Sequence, residues 1–258
     1  MNEYALITGA SKGIGRSVAL QLAGLGYNLL LTARSEPELQ QLAQLIKKDY
    51  NVNADYLAID LSEDGAAAKL SGWCKESTFP VSVLINNAGF GAWGNFEELD
   101  LQEQIKMLNL NINALVELTY FLLPVLKKQN TAFILNVAST AAYQAVPTLA
   151  LYSASKAFVL SFSRALRYEL IDTTVSVSCL CPGPTDTGFA HRAGMDALAE
   201  LATKFNMQPN EVAKIGLKGM FNKKAEIIPG FLNKLSATGA RHLNKSLIER
   251  ITNNLYKK

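Results

Sequence analysis

Histidine and cysteine are scarce: two histidines, His191 and His242, and three cysteines, Cys74, Cys179 and Cys181, in 258 residues. The histidines lie far apart, and no His, Cys and carboxylate group has ligand spacing, so no metal site is expected. The cysteine count is odd, and "CLC" alternates inside an apolar run; this suits reduced core thiols and excludes a disulfide scaffold. Charge is scarce too. Charged residues make up 18% of the chain against 49% apolar, which excludes long disordered tracts. No run approaches the length of a membrane helix, since "LVELTYFLLPVL" is interrupted by Glu117 and Pro124. The opening "MNEYALITGA" has neither a charged leader nor a small-residue cleavage site. A cytoplasmic protein with a sizeable core is expected.

The net charge of +3 is unevenly spread. From Lys218 onward nine Lys/Arg face two Glu, giving +7 and leaving −4 for the rest. This basic stretch lacks the interleaved aromatics of a stacking platform, so no nucleic-acid partner is expected.

What is present is an alternation of apolar runs and helical patterns. "YALITGA", "NLLLTAR", "ADYLAIDLS", "VSVLINNAG", "AFILNVAS" and "VSVSCLCPG" read as strands. Helices fall between them, including one from 63 to 76 capped by Ser62, one at 101–128 and one at 150–171. The strands are apolar almost throughout, as in a parallel sheet covered on both faces. The order predicts an α/β fold with a doubly wound, Rossmann-like parallel sheet, residues 1–258 forming a single domain.

The first strand runs into "TGASKGIG", which carries Gly9, Gly13 and Gly15. In such a fold this turn is where a dinucleotide pyrophosphate sits, on the free N–H groups of a helix N-terminus. A plain structural turn also fits the glycines. At the end of the second strand a carboxylate holds the ribose of NAD, whereas an arginine accommodates the 2′-phosphate of NADP. This chain has Arg34 there, and Lys12 in the glycine loop, so NADP(H) is expected ahead of NAD(H). Ordinary surface charges are the other reading of both.

"ALYSASKAF" places Tyr152 and Lys156 four residues apart, on one helical face. An ammonium beside a phenol favours the phenolate, and a tuned phenol can protonate a carbonyl oxygen or deprotonate an alcohol. Small residues between them leave room for a flat ring. Alone, the pair also suits an amphipathic wall. Ser139 closes the fifth strand at the edge where open α/β sheets bind ligands, and its hydroxyl could bond the same oxygen. Tyr143 has no lysine four residues on and reads as packing or pocket wall.

These elements, together with Asp60 after the third strand, "NNAG" at 86–89, Asn111 in "LNLNINA" and "PGPTDT" at 182–187, resemble the short-chain dehydrogenase/reductase family in order and spacing. The resemblance covers roughly residues 4–188. It implies that Tyr152 is the general acid/base, that Lys156 binds the nicotinamide ribose and lowers the tyrosine pKa, and that Ser139 orients the carbonyl. It implies that Asn111 holds a water linking Lys156 to solvent. For the cofactor it implies Gly9, Ser11, Lys12, Gly13, Ile14 and Gly15 at the phosphates, Arg34 at the 2′-phosphate, and Asp60 and Leu61 by the adenine. Asn87, Ala88 and Gly89 would pass beneath the ribose, and Pro182, Gly183, Thr185 and Thr187 would hold the nicotinamide. A homodimer or homotetramer is implied as well, through the helices at 101–128 and 150–171.

The segment after "PGPTDT", about 186–210, would then close over the substrate. Phe189, Met195, Leu198, Leu201 and Phe205 either line an apolar pocket or pack the lid onto the body; Phe90 and Trp93 carry the same two readings. The expected substrate is an apolar ketone or aldehyde, or the matching alcohol, such as a 3-oxoacyl or ketosteroid-like compound. The tail, about 230–258, spaces Leu243, Leu247, Ile248, Ile251 and Leu255 helically among basic residues. It packs on its own domain, covers a subunit interface, or lies on an anionic membrane. Two functional classes stand: an NADP(H)-dependent oxidoreductase, and an NADP(H)-binding regulatory or membrane-surface protein on the same fold without turnover.

Overall fold

Seven parallel strands form one sheet in the order β3-β2-β1-β4-β5-β6-β7 in the computed structural model, which describes residues 3–195 and 206–256. The strands are β1 Tyr4–Thr8, β2 Asn28–Ala33, β3 Ala54–Ala58, β4 Val81–Asn86, β5 Ala132–Val137, β6 Val175–Leu180 and β7 Glu226–Ile227. Between them lie α1 Gly13–Gly24, α2 Glu36–Tyr50, α3 Ala66–Glu76, α4 Leu101–Leu108, α5 Ala114–Leu126 and α6 Ala150–Glu169. A short α7 Phe189–Arg192, then α8 Pro209–Phe221, α9 Phe231–His242 and α10 Lys245–Tyr256 follow. The order reverses at β1, which pairs with both β2 and β4. That switch point opens a crevice at the carboxyl ends of the strands.

Successive strand residues point to opposite faces, and both faces are buried. Ala5, Ile7, Leu29 and Leu31 pack toward α1, α2 and α8, while Leu6, Leu30, Leu84 and Ile134 pack toward α3, α5 and α6. This is why the strand sequences show no polar alternation. Each fully buried leucine contributes about 1.5–3 kcal/mol.

One polar pair crosses this core. Asn86 and Asn136 are register partners on β4 and β5. Asn86 Nδ2 donates to Asn136 Oδ1 at 2.9 Å and to Thr119 Oγ1 at 3.1 Å, and Asn136 Nδ2 donates to Ser163 Oγ at 2.9 Å. The network ties α5 and α6 to the strand ends that carry the crevice. Asn136→Leu takes away one of the two acceptors of the Asn86 amide and leaves that N–H buried and unbonded, so a loss of about 2 kcal/mol is expected in chemical denaturation. An unchanged midpoint would mean the network adds nothing.

Several local expectations give way. The third helix starts at Ala66 with Gly65 as its cap residue. Ser62 does not cap it; its N–H and hydroxyl donate to Asp60 Oδ1 at 3.0 and 2.7 Å. The helix expected at 101–128 is α4 and α5 joined by a π turn, Asn109–Asn113, in which Ala114 N–H reaches back to Asn109 O. Taken together, Leu101–Leu126 is 26 residues long and holds an 18-residue stretch of mean hydropathy 1.3, enough by length and composition to cross a membrane, contrary to the reading that Glu117 and Pro124 break the run. Pro124 falls in the last turn, where it leaves the helix intact. In this fold one side of the stretch packs into the core, with Leu118, Leu122 and Leu126 buried. β7, two residues long, had no readable sequence signal.

Candidate active site

The glycine loop joins β1 to α1. Gly9 and Gly13 have φ of +66° and +53°, a region that L side chains rarely enter. At Gly15 the limit is space: an added Cβ would stand 2.2 Å from Gly9 O and 2.5 Å from Asn87 Nδ2. The loop is fastened from the neighbouring strand. Asn87 Nδ2 donates to Thr8 O and Gly9 O at 2.9 and 3.2 Å, and the N–H groups of Asn87 and Ala88 both donate to Thr8 Oγ1 at 2.9 Å. No side chain caps α1, so its first N–H groups are open to a ligand. Uncapped donors, a positive dipole end and a backbone bare of side chains fit a dinucleotide pyrophosphate. Ser11 and Ile14 stand partly buried on this rim.

The other end of the crevice holds the charges. Arg34 follows β2, half exposed, with its Nη1 3.8 Å from Asp60 Oδ2. Burial pushes the Asp60 carboxyl up, but hydrogen bonds from Ser62 and the charges of Arg34 and Arg192 outweigh it and hold the group below its usual value. Lys12 pairs with Glu38 at 2.8 Å. Leu61, beside Asp60, is buried in the core.

Lys156 is 5% exposed, and its Nζ donates to Val137 O at 3.1 Å. Val137 ends β5 two residues before Ser139, so this bond seats the ammonium at the strand end that carries Ser139. Burial pulls the Lys156 pKa down to about 8, with Cys179 and Cys181 opposing. Its Nζ stands 5.8 Å from the centre of the Tyr152 ring. A Cβ on Gly89 would come within 3.2 Å of that Nζ and 2.8 Å of Asn111 Oδ1. Asn111 projects from the π turn, 1% exposed. Its Oδ1 accepts from Phe90 N–H at 3.1 Å, and its Nδ2 donates to Phe90 O and Ser155 Oγ at 3.0 and 3.1 Å. Ser139 Oγ accepts from Ala141 N–H at 3.1 Å and opens a 3-10 turn, Thr140–Tyr143, which keeps its hydroxyl proton free to be donated.

The loop after β6 crosses the same edge. Thr140 N–H donates to Pro182 O at 2.9 Å, and Thr185 Oγ1 to Gly183 O at 2.9 Å. A Cβ on Gly13 would meet the Thr187 side chain at 2.8 Å, so this loop touches the glycine loop directly. Phe189 then lies against Tyr152, ring centres 5.3 Å apart. Phe90 and Trp93 are both buried in the core beside it, with Met195 packed there as well. Leu198, Leu201 and Phe205 lie outside the described residues.

Tyr143 is occupied elsewhere. Its hydroxyl donates to Glu226 Oε1 at 2.8 Å, Arg241 lies 4.7 Å over its ring, and burial with the nearby Cys181 and Glu226 drives its pKa up. It is a packing residue. Sequence reasoning missed Arg192, whose guanidinium sits 4.3 Å over the Phe90 ring and faces Arg34, Asp60 and Glu103. A cation in "AHRAG" was the signal, hidden among the apolar residues taken to define the lid.

Residues 3–198 match the family described as short chain dehydrogenase. The chain is 33% identical over 226 residues to the ketoacyl reductase HetN of Nostoc sp. strain PCC 7120, covering 86% of this chain and 77% of that one. The NADPH complex of a short-chain dehydrogenase from Sphingobium yanoikuyae superposes with a TM-score of 0.83 at 29% identity, over 95% of this chain and 94% of that one. A short-chain dehydrogenase/reductase from Burkholderia phymatum in complex with NAD gives a TM-score of 0.81 at 25% identity, over 92% of each. The chain belongs to the short-chain dehydrogenase family and is an oxidoreductase of that family.

Proposed function

We propose that the protein is an NADP(H)-dependent reductase or dehydrogenase that interconverts an apolar ketone or aldehyde and its alcohol, with a 3-oxoacyl compound the leading substrate class. The observation that carries this reading is Lys156. A buried ammonium whose pKa burial pulls down, with two cysteines and no carboxylate working to hold it up, costs the fold stability. Such a cost is expected where the charge has a task, and here the charge lies beside a phenol.

The bound cofactor supplies the two electrons and the hydrogen that the carbonyl carbon takes up. Tyr152 Oη gives its proton to the carbonyl oxygen, while the Ser139 hydroxyl donates a hydrogen bond to that oxygen. Lys156 stabilises the phenolate left behind and bonds the nicotinamide ribose. Both side-chain donors of Asn111 are taken by Phe90 and Ser155. A water that relays a proton to Lys156 would therefore rest on an oxygen of Asn111, its Oδ1 or its backbone carbonyl. Gly9, Gly13 and Gly15 admit the phosphates, Asn87, Ala88 and Gly89 underlie the ribose, and Pro182, Gly183, Thr185 and Thr187 hold the nicotinamide side. Phe189 and Met195 wall the substrate side with apolar surface, in line with a relative named as a ketoacyl reductase.

The preference for NADP(H) rests on Arg34 at the end of β2, where no carboxylate competes for the ribose. Arg34→Ala is expected to weaken NADPH binding roughly 10- to 100-fold, the worth of one charge-assisted contact. NADH binding should stay unchanged in the same fluorescence titration. Equal losses for both cofactors would refute the assignment of Arg34.

The reaction itself is tested by loss of NADPH absorbance against a panel of 3-oxoacyl thioesters, ketosteroids, diketones, quinones and aldehydes, repeated with NADH. Turnover of the apolar carbonyls with NADPH supports the reading. NADPH binding without turnover on any of them would point to a regulatory protein on this fold.

A further inference from the structure

Helix α9 is built inside out. Its inward side presents Asn233, Ala237 and Arg241: Asn233 Nδ2 donates to Pro229 O at 2.8 Å, Ala237 is buried, and Arg241 pairs with Glu226. Its large apolar side chains face solvent instead. Phe231 is 79% exposed, Leu232 62% and Leu235 61%. Helix α10 repeats the pattern in part. Ile248 and Thr252 are buried against the body, which accounts for one side of the helix by packing, yet Leu247 and Ile251 stay about half exposed, as does Leu243 between the helices. Burying such side chains is worth about 1.5–3 kcal/mol each, so leaving six of them in water calls for an occupant.

Charge selects that occupant. Lys234, Lys245 and Arg250 stand exposed among these apolar residues, and Glu249 is the sole acid on either helix. The segment from Lys218 onward carries +7. A two-fold contact with a second copy through this face would set that charge against itself, whereas an anionic lipid surface complements both the charge and the apolar side chains. We propose that α9 and α10 form a docking surface for an anionic lipid bilayer.

Its position gives the surface a use. A Cβ on Gly183 would stand 2.3 Å from Asn233 Oδ1, so the first turn of α9 rests on the loop after β6. Arg241 covers Tyr143, and the Thr252 hydroxyl lies 3.5 Å from Ala145 O, which sets both helices against the loop after β5. Those two loops carry Ser139 and the Pro182–Thr187 segment. A bilayer docked on α9 and α10 therefore lies beside the crevice, where an apolar substrate held in lipid could pass directly to it. The inference about docking stands whether or not the reaction proposed above is correct.

The test is flotation of the full chain with vesicles of phosphatidylcholine alone, and of phosphatidylcholine mixed with phosphatidylglycerol. Binding to the mixed vesicles, weakened by salt, is expected, with little on the neutral ones. Lys234→Glu, Lys245→Glu and Arg250→Glu should each lower the partition coefficient by at least roughly fivefold. The double variant Phe231→Ser, Leu235→Ser should also lose vesicle binding. NADPH affinity should be unchanged in all of them, which shows that the fold survives. Absent or equal binding to the two vesicle types would overturn the proposal. So would a dimer in sedimentation velocity that the serine variant converts to monomer without any vesicle binding, since the face would then belong to a second copy.

Discussion

Tyr152→Phe protein binds NADPH as the wild type does, unfolds at the same temperature, and loses turnover by roughly 100- to 10,000-fold, the contribution of a positioned general acid. The substitution removes one oxygen and keeps the ring. That ring packs against Phe189 at 5.3 Å and lies 5.8 Å from Lys156 Nζ, and an added Cβ at Gly91 would come within 3.3 Å of it. All of these ring contacts survive in phenylalanine. The cofactor elements assigned above are the glycine loop, the strand ends and the loop after β6. A phenylalanine variant with wild-type turnover would remove Tyr152 from the chemistry. A variant with weakened NADPH binding and a lowered melting temperature would show a structural role instead.

Much of this arrangement was legible in the sequence because it follows from local rules. The central strands read as continuous apolar runs because both faces of β1, β4 and β5 are buried. The glycine loop was legible because Gly9 and Gly13 adopt a backbone that other residues avoid, and because Gly15 has no room for a side chain. Tyr152 and Lys156 were legible as a pair because helical spacing alone sets them on one face. What stayed hidden depends on tertiary context. The π turn at Asn109–Asn113 uses residues that an ordinary α-helix also accepts, so no local preference marks it, yet it places the Asn111 side chain. Ser62 had the chemistry of a helix cap, but Asp60 two residues earlier offered its hydroxyl a carboxylate acceptor. The tail showed its apolar spacing clearly. Spacing could not reveal that Ile248 turns inward while Leu247 and Ile251 turn out, nor that α9 presents its apolar side chains to solvent.

Lys156→Met is expected to abolish turnover and to make the protein more stable near neutral pH. The wild-type ammonium is buried, and its pKa falls from 10.5 to about 8. Below about pH 8 the lysine is charged in both the folded and unfolded chain, so the full cost of burying the charge is present. As pH rises from about 8 to 10.5, the folded chain gives up its proton while the unfolded chain keeps it, and that cost is relieved. The shift corresponds to about 3 kcal/mol at 1.36 kcal/mol per unit. Methionine keeps the unbranched stem, one atom shorter, and carries no charge, so it escapes the cost; the lost bond to Val137 O returns about 1 kcal/mol of it. A net gain of about 2 kcal/mol at pH 7 is therefore expected in chemical denaturation, and above pH 10.5 it should turn into a loss of about 1 kcal/mol, the missing bond to Val137 O alone. Cys74 and Tyr27 also have ordinary pKa values in this window, and burial raises both in the folded chain. They are common to both proteins and cancel in the difference. A methionine variant that is less stable at pH 7 would mean that Lys156 holds the fold together, and the strongest argument for a functional lysine would be lost. Gained stability with lost turnover would mean that the fold carries this buried charge for the sake of its chemistry.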